Sequence, residues 1–136
     1  MSRPVPVAIS IAPGDPRSVA GQIVDAVRRK VFEGDLVVGD RLPSVRGLAE
    51  QLAINPNTVA KAYAELVAGG WLQSQAGLGL FVAIQRNQLS DHERNRRLGA
   101  AVDRFVNEIV AIRCDPVEAA SRIHDALHDL APWQSA

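Results

Sequence analysis

A single cysteine, Cys114, stands in the 136 residues, so no internal disulfide can form and a reducing compartment suits the chain. No run of 18 apolar residues occurs, and no segment reads as a membrane-spanning helix. The N-terminus lacks the basic and apolar blocks of a secretion signal; the expectation is a cytoplasmic protein with no membrane partner. Excess charge is absent too. Fifteen Lys and Arg balance fifteen Asp and Glu, which at first sight argues against nucleic acid. Internal repeats and low-complexity tracts are missing. So are a paired nucleophile and base, a phosphate loop and a zinc-protease motif, which leaves an enzyme, or a cofactor, no residues to rest on. Gly77-Leu78-Gly79 is a turn with no helix after it to hold a phosphate.

What is present is enough chain for one domain with a proper core, or for a small domain of about 80 residues plus an appendage. Its charge is unevenly spread. Residues 1–86 carry 9 Lys and Arg against 7 Asp and Glu, or +2, and residues 87–136 carry 6 against 8, or −2. The slight positive excess falls on the half that holds the most informative stretch, Arg41 to Tyr63.

That stretch reads as two short helices and a tight turn. Ser44 can cap the first helix, and Pro43 disfavours an earlier start. Val45, Leu48, Ala49 and Leu52 form one apolar face over about Val45 to Leu52, with Arg46 and Glu50 outward. Ala53 to Asn55 is the turn. Asn55 caps the second helix, with Pro56 at its first position, where a missing N–H costs nothing. Val59, Ala62, Tyr63 and Leu66 then face inward, leaving Asn57, Thr58 and Lys61 at the exposed N-terminal end, where a recognition helix meets base edges and phosphates. Periodicity alone would also fit an ordinary helical hairpin, so the flanking sequence decides.

Before this stretch, Val5, Val7, Ile9 and Ile11 alternate with polar or small residues as an extended arm, which Pro4 and Pro6 confine to an edge. Residues 12–16 form a turn. A first helix is expected from about Pro16 to Glu33, burying Val19, Ile23, Val27 and Val31, with Gly34 past its end. Arg28, Arg29 and Lys30 make a basic cluster that suits either a solvated helix C-terminus or a phosphate. Asp35 to Leu42 is an extended link with a turn at Gly39. After the stop at Gly69 and Gly70, residues 71–74, 75–79 and 80–83 read as strand, glycine turn and strand, a β-hairpin wing. Trp71, Leu80 and Val82 are its contributions to the core.

Gly39 to Arg46, Leu48-Ala49, Asn55 to Val59, Lys61 to Tyr63 and Gly77 to Val82 together resemble the DNA-binding domain of GntR-type bacterial transcription regulators, closest to the YtrA branch with its short helical tail. The resemblance covers about residues 5–84. It implies a sequence-specific regulator, a repressor or dual regulator, that binds a palindromic operator in double-stranded DNA as a homodimer. By position it implies DNA contacts from Ser44, Arg46, Asn55, Asn57, Thr58, Lys61 and Gly77. Their chemistry agrees. Arg46 offers a fork for guanine or phosphate, Asn57 a donor and acceptor for adenine, Thr58 and Ser44 hydroxyls for phosphate, and Lys61 a point charge. Asn55 is equally explained by capping, and Tyr63 is mainly core, with a hydroxyl in reach of a phosphate. The chain departs from the family at Gly47, where an acidic residue would complete a capping box; at the wing tip, which lacks the usual arginine and threonine; and at Ala20 and Gly21, where an aromatic and a polar residue are common.

The tail opens with Ser90 and Glu93, a capping box, and a helix of about 22 residues to near Arg113. Leu98, Val102, Phe105, Ile109 and Ile112 are spaced 4, 3, 4, 3, the rhythm of a coiled-coil seam. A second helix from Asp115 and Pro116 carries Val117, Ala120, Ile123, Leu127 and Leu130, with Trp133 behind. Two such stripes cannot both be buried within 50 residues, so a partner subunit is the natural cover, the alternative being that the tail folds back on its own winged helix. His124 and His128, at i and i+4, share a face, but with only Cys114 or His92 as distant companions they read as polar-face residues and not as a metal site. The expected architecture is mainly α with a small β-hairpin: a winged helix-turn-helix over 1–86 and a two-helix dimerisation tail over 87–136. A small-molecule effector would have to use the dimer interface or the cleft between tail and wing. The competing reading is an interaction adaptor that uses the winged helix as a scaffold, motivated by the zero net charge and the non-basic wing.

Overall fold

Two units make up the chain, Met1–Gln85 and Arg86–Ala136. The computed structural model describes residues 3–85 and 89–130. Trp133 lies outside them.

The first unit begins with an arm. Val7 and Ile9 are buried, with Val5 and Ile11 packed beside them. The arm stays irregular, as Pro4 and Pro6 require, and two bonds hold it: Val5 N–H to the Arg41 carbonyl at 2.7 Å, and the Gln51 amide to the Val7 carbonyl at 2.9 Å. A turn closed by Asp15 N–H on the Ala12 carbonyl leads to helix α1, Val19–Glu33.

Helix α1 starts three residues later than the sequence suggests. Asp15 does not start it, because its carboxylate is taken by Arg17, through the side-chain Nε at 2.9 Å and the backbone N–H at 2.8 Å. Those hydrogen bonds hold Asp15 down to a pKa of about 2. Ser18 is the cap, and its hydroxyl accepts from Gly21 N–H at 3.0 Å. The buried face is wider than the predicted stripe: Ala20, Gln22 and Val24 join Ile23 and Val27, and Val19 and Val31 sit half-buried. The buried Gln22 side chain is satisfied, its oxygen accepting from Ala12 N–H at 2.8 Å. Gly34 closes the helix at φ 87°.

Helix α2 spans Val45–Leu52 and α3 spans Pro56–Ala68, each with its predicted cap and predicted inward face. Ala53 turns the chain between them in the left-handed region, at φ 55° and ψ 47°. Strands β1, Leu72–Gln75, and β2, Gly79–Val82, pair antiparallel in the register Leu72↔Val82, Gln73↔Phe81, Ser74↔Leu80 and Gln75↔Gly79. The sequence started the first strand at Trp71. That residue instead directly precedes β1, its carbonyl accepting from Ala83 N–H at 3.0 Å and its ring lying under the Arg28 guanidinium, 5.9 Å from the centroid.

The link from Asp35 to Leu42 is more than a connector. After a turn at 37–40, Leu42 N–H reaches the Leu80 carbonyl at 2.8 Å and Val82 N–H reaches the Asp40 carbonyl at 2.8 Å. Arg41 thereby faces Phe81 across an antiparallel bridge, and the wing gains a third, very short strand. Side chains alternate across it. Leu42, Leu72 and Val82 point into a core that also holds Ile23, Leu48, Val59 and Leu66.

In the second unit, α4 spans Asp91–Ala111, capped by the Ser90 hydroxyl on Glu93 N–H at 3.1 Å. It stops two residues short of Arg113, which takes a left-handed φ of 55°. Helix α5 spans Pro116–His128, capped by Asp115. Ala119 is its buried position, where the sequence suggested Ala120. Helix α4 buries no side chain at all. Of its predicted seam, Leu98, Val102, Phe105 and Ile112 are exposed and Ile109 is half-buried; Ile123 and Leu127 on α5 are exposed as well.

Candidate nucleic-acid interface

The N-terminal ends of α2 and α3 carry most of the predicted contact residues. Each end leaves backbone N–H groups unpaired by the helix and carries the positive pole of its dipole, a combination that favours phosphate. At α2, the Ser44 hydroxyl accepts from Gly47 N–H at 2.9 Å. That bond uses one lone pair and leaves the hydroxyl proton to donate outward. Gly47 carries no acidic group to complete a capping box, and a Cβ there would sit 3.0 Å from the Ser44 hydroxyl oxygen. Arg46 is exposed on the outer face of α2.

At α3, the Asn55 side-chain oxygen accepts from Asn57 N–H at 2.8 Å, which leaves the Asn55 amide protons for other partners. Asn57 and Lys61 are exposed and Thr58 is half-buried. They stand on the flank opposite Val59, Ala62, Tyr63 and Leu66, all within 2 % exposure. Burial of one flank fixes which way the other points.

Tyr63 ties the two helices together. Its hydroxyl donates to the Pro43 carbonyl at 2.8 Å, one residue before the cap of α2. The phenol is therefore spent inside the protein, and the sequence-based option that it reaches a phosphate is withdrawn. Burial also pushes its pKa up, which keeps the donor protonated.

Gly77 sits exposed at the wing tip at φ 73°, in a turn closed by Leu78 N–H on the Gln75 carbonyl at 3.0 Å. A left-handed φ at that third turn position is one that glycine adopts at no steric cost. Behind the tip, a Cβ on Gly79 would lie 3.2 Å from Arg41 Nε. The Arg41 guanidinium thus rests against the bare backbone of the wing. The sequence reading passed over Arg41, because nothing local in the sequence places it beside Gly79.

The other basic residues singled out are partly engaged. Arg28 covers Trp71, its Nε buried with no hydrogen-bond partner, and Arg29 lies 3.7 Å from Glu33. His124 and His128 stack at 6.4 Å between ring centroids. Among the described residues no three His, Cys, Asp or Glu gather as metal ligands, and no helix is long and apolar enough to cross a membrane.

Comparison with known proteins agrees with this geometry. Residues 19–82 match the family of bacterial regulatory proteins, gntR family. The uncharacterized HTH-type transcriptional regulator YhcF of Bacillus subtilis is 31% identical over 88 residues, covering 65% of this chain and 72% of YhcF. The HTH-type transcriptional repressor YtrA of the same organism is 40% identical over 72 residues, covering 51% of this chain and 55% of YtrA. In structure, a transcriptional antiterminator from Listeria monocytogenes EGD-e superposes with a TM-score of 0.78 at 25% identity, over 90% of this chain and 92% of that one. These relatives are regulators of transcription and not enzymes. With a winged helix-turn-helix followed by two helices, the chain belongs to the GntR family of bacterial transcriptional regulators.

Proposed function

We propose that the protein is a cytoplasmic, sequence-specific repressor that binds a palindromic operator as a homodimer. The observation that carries this reading is the segregation on α3: Asn57 and Lys61 exposed on one flank, and Val59, Ala62, Tyr63 and Leu66 buried on the other. A flank so oriented, extended by Arg46 and Ser44 on α2, has the chemistry for bases and phosphates. Helix α4 supports the homodimer, since 21 residues with an apolar seam spaced 4-3-4 from Leu98 to Ile109 and no buried side chain need a partner. Two recognition helices related by a two-fold axis read half-sites about 34 Å apart.

A second reading, an interaction adaptor, draws on the hairpin, since residues 71–85 contain no charged side chain. Fluorescence anisotropy on a duplex from the gene's own upstream region and on a scrambled duplex separates the two. The repressor reading expects tighter binding to the first, and Arg46→Ala should cost about 1–3 kcal/mol, or roughly 5–150-fold, with the oligomer intact. Equal, weak binding to both duplexes, unchanged by Arg46→Ala, would favour the adaptor.

A further inference from the structure

The wing poses a problem for a DNA-binding protein. From Trp71 to Gln85 the sequence has neither Lys nor Arg, and its tip is Ala76, Gly77 and Leu78. Yet a cation does lie on it. Arg41 and Phe81 form an antiparallel pair flanked by the Leu42–Leu80 and Val82–Asp40 hydrogen bonds, the narrow kind of pair whose side chains sit close. With Leu42 and Val82 pointing inward, Arg41, Gln73, Gln75 and Phe81 share the outer face. From there the guanidinium extends toward the tip, across Gly79, where a Cβ would meet Nε at 3.2 Å and Nη2 at 3.6 Å. The adjoining Asp40 carboxylate accepts from Val37 N–H at 2.9 Å. Two residues after Leu42 comes Ser44, the cap of α2, so Arg41 stands between an anion-favouring helix end and the wing tip.

We propose that Arg41 is the phosphate-binding cation of the wing, a charge lent to the hairpin by the preceding short strand. Gly79 is the position that admits it. The Gln73 and Gln75 amides on the same face are uncharged companions for phosphate or sugar oxygens. This inference rests on the DNA-binding reading above. It assigns Arg41 an electrostatic role independent of sequence, in contrast with base reading by Asn57.

The test is anisotropy with the upstream duplex and the scrambled duplex between 50 and 200 mM salt. Arg41→Met keeps the apolar stem over Phe81 and removes the charge. It should weaken binding to both duplexes by a similar factor and lower the slope of log affinity against log salt by about 0.9, the value of one phosphate contact. Its deficit should therefore shrink about threefold across that range. Arg41→Lys should keep the wild-type slope, and Leu78→Arg in the Arg41→Met background should restore it. A folded Arg41→Met protein with the wild-type slope and affinity would overturn the proposal, as would loss of discrimination between duplexes at an unchanged slope. If the wild type binds neither duplex, the DNA-binding reading fails and this inference falls with it. If the wild type binds and Arg41→Met is indistinguishable, this inference alone fails.

Discussion

The hydroxyl of Tyr63 reaches back to the carbonyl of Pro43 at 2.8 Å, fastening the middle of α3 to the residue before the cap of α2. The two helix ends that present Arg46 and Asn57 are thereby held as one surface. Tyr63→Phe keeps the packing and removes the donor, leaving the Pro43 carbonyl without it. It should lower unfolding stability by about 1 kcal/mol at an unchanged denaturant slope. An unchanged midpoint would show that the bond does not fasten the pair.

Ala53 holds a left-handed conformation that costs an L-residue about 1 kcal/mol and glycine very little. Its side chain is exposed, so nothing else is lost when it is removed. Ala53→Gly should raise stability by about 0.5–1 kcal/mol in urea unfolding, and Ala53→Val should lower it.

These positions show what the sequence made readable. The caps at Ser44, Asn55, Ser90 and Asp115 and the inward faces of α2 and α3 were legible because each depends on residues within a turn or two. The start of α1 was not, since Asp15 and Ser18 are both competent caps and the choice falls to Arg17, which occupies Asp15. The third strand of the wing escaped because Asp40 to Leu42 is too short to alternate visibly and its partner, β2, lies about 40 residues on. Of the proposed DNA-facing set, the residues on α2 and α3 could be read from side-chain type and helical phase, whereas Arg41 becomes visible only when Gly79 is brought beside it.

Glu93 accepts hydrogen bonds from Arg96 and then Arg97, which hold its pKa down to about 2, against an ordinary value of 4.5. A depressed folded pKa means stabilisation that is complete above the unfolded value and lost as pH falls. The start of α4 should therefore lose helicity between about pH 4.5 and pH 2. Carboxyl chemical shifts should give Glu93 a midpoint near 2, and Glu93→Gln should flatten the helicity change in that window. A midpoint near 4.5 would mean that the two arginines do not engage it in solution.

Phe105 lies at the centre of the seam of α4, and more than a third of its surface is left exposed. In a symmetric dimer Phe105→Glu deletes two apolar contacts of about 1.5–3 kcal/mol each. The dimer dissociation constant should rise by roughly 100-fold or more. Sedimentation velocity should show a monomer at micromolar protein while the winged unit stays folded. A dimer of wild-type strength would place the interface elsewhere.

The central claim is a two-fold symmetric reader of DNA sequence, and selection of binding sites from a random duplex library by the purified full chain tests it most directly. The account predicts enrichment of one inverted repeat whose half-sites are centred about one helical turn apart, with enrichment lost in Arg46→Ala. A library that returns no motif, or a single half-site without its inverted copy, would contradict it.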